Sequence, residues 1–233
     1  MIKGILFDYG GTLDTGGRHW SEVIWDGYRA TGIGVPKEEF RLAYVYAERE
    51  LERNPHIAPD DTFYELLRKK IIIEMQELAR TGILPAGYPV EEKAREAARY
   101  CDGVARSHVS AAAPVLSELA KKYPLVMITN FYGNIRTVIA EYGILPYFKD
   151  IVESAAVGCR KPSADIFRIA CKRLGTEPAE TLVVGDSYKN DIAPAVNLGM
   201  QAVWLKNESW NNSEESIEYE KIIKAIEELP GVV

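Results

Sequence analysis

Three short apolar runs, at residues 2–7, 124–129 and 181–185, each stop on small or polar residues: Asp8 before Gly10-Gly11, Thr129-Asn130, and Gly185-Asp186. Runs this short and continuously apolar fit strands buried on both faces, as in a parallel sheet. Helical patterns follow or separate them at 113–123, 134–142, 164–174 and 191–198, and a further apolar run at 202–205 reads as another strand. Strands alternating with helices of this length predict an α/β fold, a doubly wound parallel sheet covered on both faces. Ligands of such sheets bind beyond the carboxyl ends of the strands. Asp8, Thr129-Asn130 and Asp186 all fall there, so the pattern predicts one crevice that gathers them.

The stretch from about 20 to 108 breaks the rhythm, with four successive helical patterns and no strand. Its aromatic residues Trp20, Trp25, Tyr28, Phe40, Tyr44, Phe63 and Tyr64 can pack a small helical core of their own. The expected organisation is a core domain of residues 1–16 and 110–233 with an inserted helical domain at 17–109. Gly16-Gly17 and the small residues 110–114 would be the two turns joining them. The tail, 213–229, reads as an amphipathic helix.

Composition narrows the function. Lys plus Arg number 28 against 34 Asp plus Glu, for a net charge of −6, and the basic pairs are scattered, which argues against nucleic acid as a partner. Cys101, Cys159 and Cys171 are widely separated and lack metal-ligand spacing, so neither a disulfide framework nor a zinc site is expected. The first residues are too briefly apolar for a signal peptide, and no segment has the apolar length of a membrane span. A cytoplasmic protein with no membrane association is the expectation.

Gathering Asp8, Asp186 and Asp191 around a small anionic substrate would concentrate negative charge in a desolvated cleft. Cations must compensate. Carboxylates and backbone carbonyls suit a hard divalent ion such as magnesium. Lys161, in Arg160-Lys161-Pro162 ahead of a helix capped by Ser163, is the matching positive side chain.

These residues, in this order, resemble the four motifs of the haloacid dehalogenase (HAD) superfamily. Asp8-Tyr9-Gly10-Gly11-Thr12-Leu13 is similar to the nucleophile loop, Thr129-Asn130 to the second motif, Lys161 to the third, and Gly185-Asp186 through Asp191 to the fourth; the helical insertion resembles the family's cap. The resemblance implies a Rossmann-like core, attack by Asp8 with a covalent intermediate, and charge neutralisation by Lys161. Phosphate oxygens would be held by Thr129, the backbone amide of Asn130, and Gly11. Mg2+ would be held by Asp8, the carbonyl of Gly10, Asp186 and Asp191.

One departure matters. The family's phosphatases carry an acid/base aspartate two residues after the nucleophile, where this chain has Gly10. Losing a positioned acid/base costs about 10²–10⁴-fold. Three readings follow: a magnesium-dependent phosphohydrolase that uses a good leaving group or borrows Asp14, His19 or a cap residue as acid; a carbon–halogen or carbon–phosphorus hydrolase; or a binding protein that keeps the fold. The carbon–phosphorus reading needs a cap lysine, and Lys37, Lys69, Lys70 and Lys93 each read as solvated helix surface. Tyr9 points away from Asp8 by strand alternation, Asp14, Trp204 and Trp210 read as turn or packing residues, and His56 and His108 have no identifiable partners in the sequence.

Overall fold

The computed structural model describes residues 1–209, 214 and 216–233. Six parallel strands form one sheet in the order β3-β2-β1-β4-β5-β6: β1 (Gly4–Phe7), β2 (Leu125–Thr129), β3 (Asp150–Glu153), β4 (Thr181–Gly185), β5 (Gln201–Leu205) and β6 (Ile222–Ile223). The chain builds outward from β1 to β3 on one side, then crosses to β4 and builds outward again. The reversal lies between β1 and β4, so the crevice beyond their carboxyl ends is where an open sheet of this kind binds ligands. β1, β2 and β4 are buried at every position, which is why they lack the alternation of a half-exposed strand.

One face of the sheet packs against α7 (Ala164–Leu174) and α8 (Ala193–Asn197) through Leu6, Val126, Ile166, Phe167 and Val183. The other face shares a continuous apolar core with four long helices, α1 (Trp20–Ala30), α2 (Lys37–Arg53), α3 (Phe63–Arg80) and α4 (Val90–Ala120). α5 (Ile135–Glu141) and the single turn α6 (Ser154–Val157) flank β2 and β3. The four helices between β1 and β2 and the aromatic core among them match the sequence reading: Tyr28, Phe40 and Phe63 are buried there.

Three expectations are corrected. Residues 110–114 are not a turn but lie inside α4, whose first half packs into the helical cap through Ala97 and Cys101 and whose second half covers the sheet through Val115 and Leu119. Ser110-Ala111-Ala112-Ala113 is small but also rich in the best helix former, and Pro114 is accommodated within the helix. Only Gly16-Gly17 makes a turn, both residues having positive φ. The C-terminal segment is not a helix either: Ile222-Ile223 pair with Trp204-Leu205 as an edge strand, and 226–231 form a 3-10 turn. Residues 213 and 215 of that expectation, and Trp210, lie outside the described residues. The third correction is β3, whose four residues hold two apolar positions between Asp150 and Glu153, too short a run to register as a strand.

The three cysteines are unpaired, and no helix among the described residues is long and apolar enough to cross a membrane.

Candidate active site

Strand register sets the site. Phe7 pairs with Met127 on one side and Val184 on the other, so Asp8, Thr129 and Asp186 leave neighbouring strands at nearly the same level. Asp8 is buried, and its amide still donates to the Val184 carbonyl at 2.9 Å. Asp191 returns to the cluster from a π-helical turn, 188–192, that opens on Ser187 and precedes α8; its Oδ2 accepts from the Ser187 amide at 3.1 Å. Carboxylate oxygens of Asp8, Asp186 and Asp191 all lie within 4.8 Å of one another.

Lys161 answers that charge. Its Nζ donates to Asp8 Oδ1 at 2.6 Å and to Asp191 Oδ1 at 2.5 Å, with all three side chains about 95% buried or more. Burial alone would lower the ammonium, but the two carboxylates outweigh it and hold Lys161 above its ordinary range. The side chain of Asn130 fixes the lysine backbone from both ends, accepting from Lys161 N at 2.9 Å and donating to its carbonyl at 3.0 Å. The sequence reading gave the backbone amide of Asn130 to the phosphate; its side chain has this separate task of holding the Lys161 backbone. Thr129 is buried at the cavity wall and its hydroxyl makes no hydrogen bond among the described residues, which leaves it for a ligand.

One lysine does not balance three carboxylates. Burial, then Asp8 and Asp191, push Asp186 well above the usual carboxylate range, and burial pushes Asp191 up to about 6 against the opposing pull of Lys161. Thr12 Oγ lies 3.0 Å from Asp8 Oδ2 and 2.9 Å from Asp186 Oδ1, so it can donate to only one of them at a time. Three carboxylates facing one lysine, with donors made of oxygen only, fit a hard divalent ion. The carbonyl of Gly10 accepts no hydrogen bond among the described residues, and Gly10 lines the same cavity. Asp8, Asp186, Asp191 and that carbonyl could therefore hold such an ion.

The glycines differ in what they are for. A Cβ on Gly11 would stand 2.4 Å from Asp186 Oδ2, at a φ of +99° that side chains avoid. A Cβ on Gly185 would meet the Asp191 side chain at 2.4 Å. Both glycines let a carboxylate approach the backbone. Gly10 has an ordinary φ and nothing within 4 Å of the place a Cβ would take, so no local packing requires glycine there. The amide of Gly11 donates to Asp14 Oδ1 at 2.7 Å, so it braces the loop rather than offering itself to a phosphate.

The candidate replacement acids fare unequally. Asp14 is fully buried and outside the cavity; besides Gly11 it accepts from Trp20 Nε1 at 3.0 Å, tying the loop after Asp8 to the first residue of α1. His19 does line the cavity, but its Nδ1 accepts from the Ser21 amide as the N-cap of α1, and burial lowers it to about 4, so it is neutral near pH 7. Trp204 is more than packing, since its Nε1 donates to the Asp186 carbonyl at 2.7 Å. Tyr9 is buried edge-on against Phe63 and Phe131, as expected.

Lys70 is the main residue that sequence reading missed. Rather than standing on a solvated face it is 4% exposed, paired with Glu48, and lines a second cavity together with Gly10, Gly11 and Asp186. Lys37, Lys69 and Lys93 make ion pairs with Glu22, Asp61 and Glu96 and keep a quarter to a third of their side chains exposed.

Comparison with known proteins agrees with the architecture. The family model of haloacid dehalogenase-like hydrolases matches residues 2–199. The Escherichia coli 5-amino-6-(5-phospho-D-ribitylamino)uracil phosphatase YigB is 37% identical over 94 residues, 40% of this chain and 38% of that protein. A glyceraldehyde 3-phosphate phosphatase of Methanocaldococcus jannaschii is 34% identical over 91 residues, 39% of this chain and 40% of that one. The chain thus spans about two fifths of the length of these relatives. Among solved structures, the magnesium-bound HAD-hydrolase YfnB of Bacillus subtilis superimposes with a TM-score of 0.61 at 17% identity, over 99% of this chain and 98% of the other, a likeness of fold. With the family model covering residues 2–199, and the strand ends carrying Asp8, Thr129 and Asp186 beside Lys161, the chain belongs to the haloacid dehalogenase-like hydrolases.

Proposed function

We propose that this protein is a magnesium-dependent phosphohydrolase with an aspartate nucleophile that acts on a small soluble phosphoryl compound whose leaving group departs without protonation, such as an acyl phosphate. One observation carries the reading. Asp8, Lys161 and the acidic cluster lie together, while at Gly10 there is room for an acid side chain and none is present.

In this reading an Asp8 oxygen attacks phosphorus, the bond from phosphorus to the leaving oxygen breaks, and the leaving group departs with the electron pair. Water then attacks the aspartyl phosphate, loses a proton, and releases inorganic phosphate and the Asp8 carboxylate. Lys161 neutralises Asp8 and the incoming phosphoryl group, and the Thr129 hydroxyl donates to a phosphoryl oxygen. Asp8, Asp186, Asp191 and the Gly10 carbonyl would hold magnesium, which when bound would offset charge on the phosphoryl oxygens. A carboxylate leaving group needs no general acid, whereas an alkoxide does. The named phosphatases among the relatives support the phosphoryl assignment.

Phosphate release from acetyl phosphate and from simple alkyl phosphates, with magnesium and with chelator, tests the reading. The expected result is magnesium-dependent release from acetyl phosphate, abolished in Asp8→Asn. Gly10→Asp should raise alkyl phosphate turnover by about 10²–10⁴-fold while changing acetyl phosphate little. Silence of both proteins toward every phosphoryl compound would remove the proposal.

Lys70 favours a second reading, carbon–phosphorus bond hydrolysis, because it places a cap amine in one cavity with Gly10 and Asp186. Borohydride trapping of a phosphonate aldehyde on Lys70 would establish it.

A further inference from the structure

Gly10 lines two cavities. The larger, about 480 Å³, contains Asp8, Thr129, Lys161 and Asp191. The smaller, about 150 Å³, extends under the helical cap, and Gly10, His19, Tyr44, Asn130 and Asp186 border both. A phosphoryl group seated at Asp8 would therefore direct its leaving group past the side-chain-free Gly10 into the smaller chamber. The walls of that chamber are largely apolar, with Trp20, Phe63, Leu66, Leu67 and Phe131; on the cap side its charged residues are Lys70 and Glu48, and Asp186 stands where it meets the larger cavity.

The charge balance of this chamber is unusually definite. Lys70 Nζ pairs with Glu48 Oε1 and sits 4.1 Å from the centroid of the Tyr44 ring. Glu48 Oε2 accepts from the Tyr132 hydroxyl at 2.9 Å, a residue of the loop after β2, so the pair is held from both cap and core. Burial would raise the Glu48 carboxyl, but Lys70 and these hydrogen bonds outweigh it and keep it ionised. His19 is neutral. Cap charge in the chamber is therefore one positive and one negative. An ammonium has three N–H donors, and Lys70 uses one on Glu48 and one towards the Tyr44 ring; Glu48 remains an acceptor. The pair can still give and take hydrogen bonds with a polar guest. A second anion entering there would find no unmatched cation, and burying an unpaired charge is strongly unfavourable.

We propose that the Lys70–Glu48 pair selects phosphoryl compounds whose non-phosphoryl part, as bound, is small, uncharged and oxygen-bearing, an acyl group included, and rejects those in which that part carries a free carboxylate or a second phosphate besides the phosphoryl group being transferred. This rests on the phosphohydrolase reading for the identity of the leaving group. The recognition itself is a binding property of the cap.

Calorimetric binding of glycerol 3-phosphate and 3-phosphoglycerate to the Asp8→Asn protein with magnesium tests it, because the two probes differ in an uncharged alcohol against a carboxylate. The proposal expects the alcohol to bind at least about tenfold tighter. Glu48→Gln, which leaves the Lys70 charge unmatched, should reverse the preference. Tyr132→Phe, which removes one hydrogen bond but no charge, should leave the ratio within about threefold, so a general loosening of the cap is distinguished from loss of charge balance. Equal binding of both probes, no binding of either, tighter binding of the carboxylate, or a ratio unmoved by Glu48→Gln would overturn it. If selectivity is found but the Asp8 protein and its Gly10→Asp variant release no phosphate from any compound, the phosphohydrolase reading fails and the selectivity stands.

Discussion

Asn130 and Lys161 hold each other by two hydrogen bonds, Lys161 N to Asn130 Oδ1 at 2.9 Å and Asn130 Nδ2 to the Lys161 carbonyl at 3.0 Å. The amide thereby links the end of β2 to the loop that carries the lysine, and fixes the base of a side chain whose tip must reach both Asp8 and Asp191. Asn130 is thus a positioning residue for Lys161.

Asn130→Ala removes both bonds while leaving every charged group in place. At about 1 kcal/mol per hydrogen bond, roughly 2 kcal/mol of stability should go, seen as a lower Tm. Turnover should fall by about 10–100-fold through kcat, because a lysine displaced by a fraction of an ångström still attracts the substrate but no longer matches the transition state. An unchanged kcat, or a change confined to KM, would show that Lys161 holds its position without the amide.

Gly11→Ala addresses the close approach of Asp186. The added methyl would collide with the Asp186 carboxylate and force a φ of +99° on a residue with a side chain. The backbone cost is about 1–2 kcal/mol. Gly32→Ala is the control, with a φ of +71° but open space around its Cβ, so it should bear a similar stability loss with no loss of activity. Gly11→Ala should lose at least about 100-fold in activity and weaken magnesium binding, measured by titrating the metal during turnover. Matching activity in the two variants would mean that Asp186 can move aside freely.

The parts of the site that the sequence displayed are those where chain geometry and chemistry coincide. Asp8 and Asp186 end buried strands on either side of the sheet's reversal point, and Lys161 precedes a helix with a serine cap that the structure reproduces. Lys70 was harder to see, though a signal existed. Phe63, Leu67, Lys70, Glu74 and Leu78 are spaced four, three, four and four apart, so the lysine and glutamate stand within the buried stripe of α3. Charged residues in such a stripe are seldom fully buried unless paired. Reading Lys70 beside its half-buried neighbour Lys69 hid that phase. The alanines of 110–114 misled in the opposite way, since small residues suit a turn by size but a helix by propensity. The bracing role of the Asn130 side chain could not have been assigned, because its partner lies 31 residues away, beyond β3 and α6.

Glu74 sets a pH dependence that can be measured without a substrate. It is fully buried behind Lys70, accepts from the Tyr28 hydroxyl at 3.0 Å through Oε2, and has no partner for Oε1. Burial, only partly opposed by Lys70 and Tyr28, raises it from 4.5 to about 8. Below about pH 4.5 folded and unfolded chains both hold this proton, and the group contributes no pH dependence. From there to about pH 8 the folded chain keeps the proton that the unfolded chain has released, so this group makes stability fall as pH rises, and above pH 8 its cost levels off. Each pH unit in that window is worth about 1.4 kcal/mol, for a total of a few kcal/mol. Glu74→Gln keeps the acceptor for Tyr28 and cannot ionise. Its stability relative to the native chain should therefore climb between pH 5 and pH 8, read from urea midpoints at pH 5, 7 and 9, with most of the gain present by pH 8. A difference that stays constant across that range would mean that Glu74 is already ionised in the folded protein, with Lys70 compensating it.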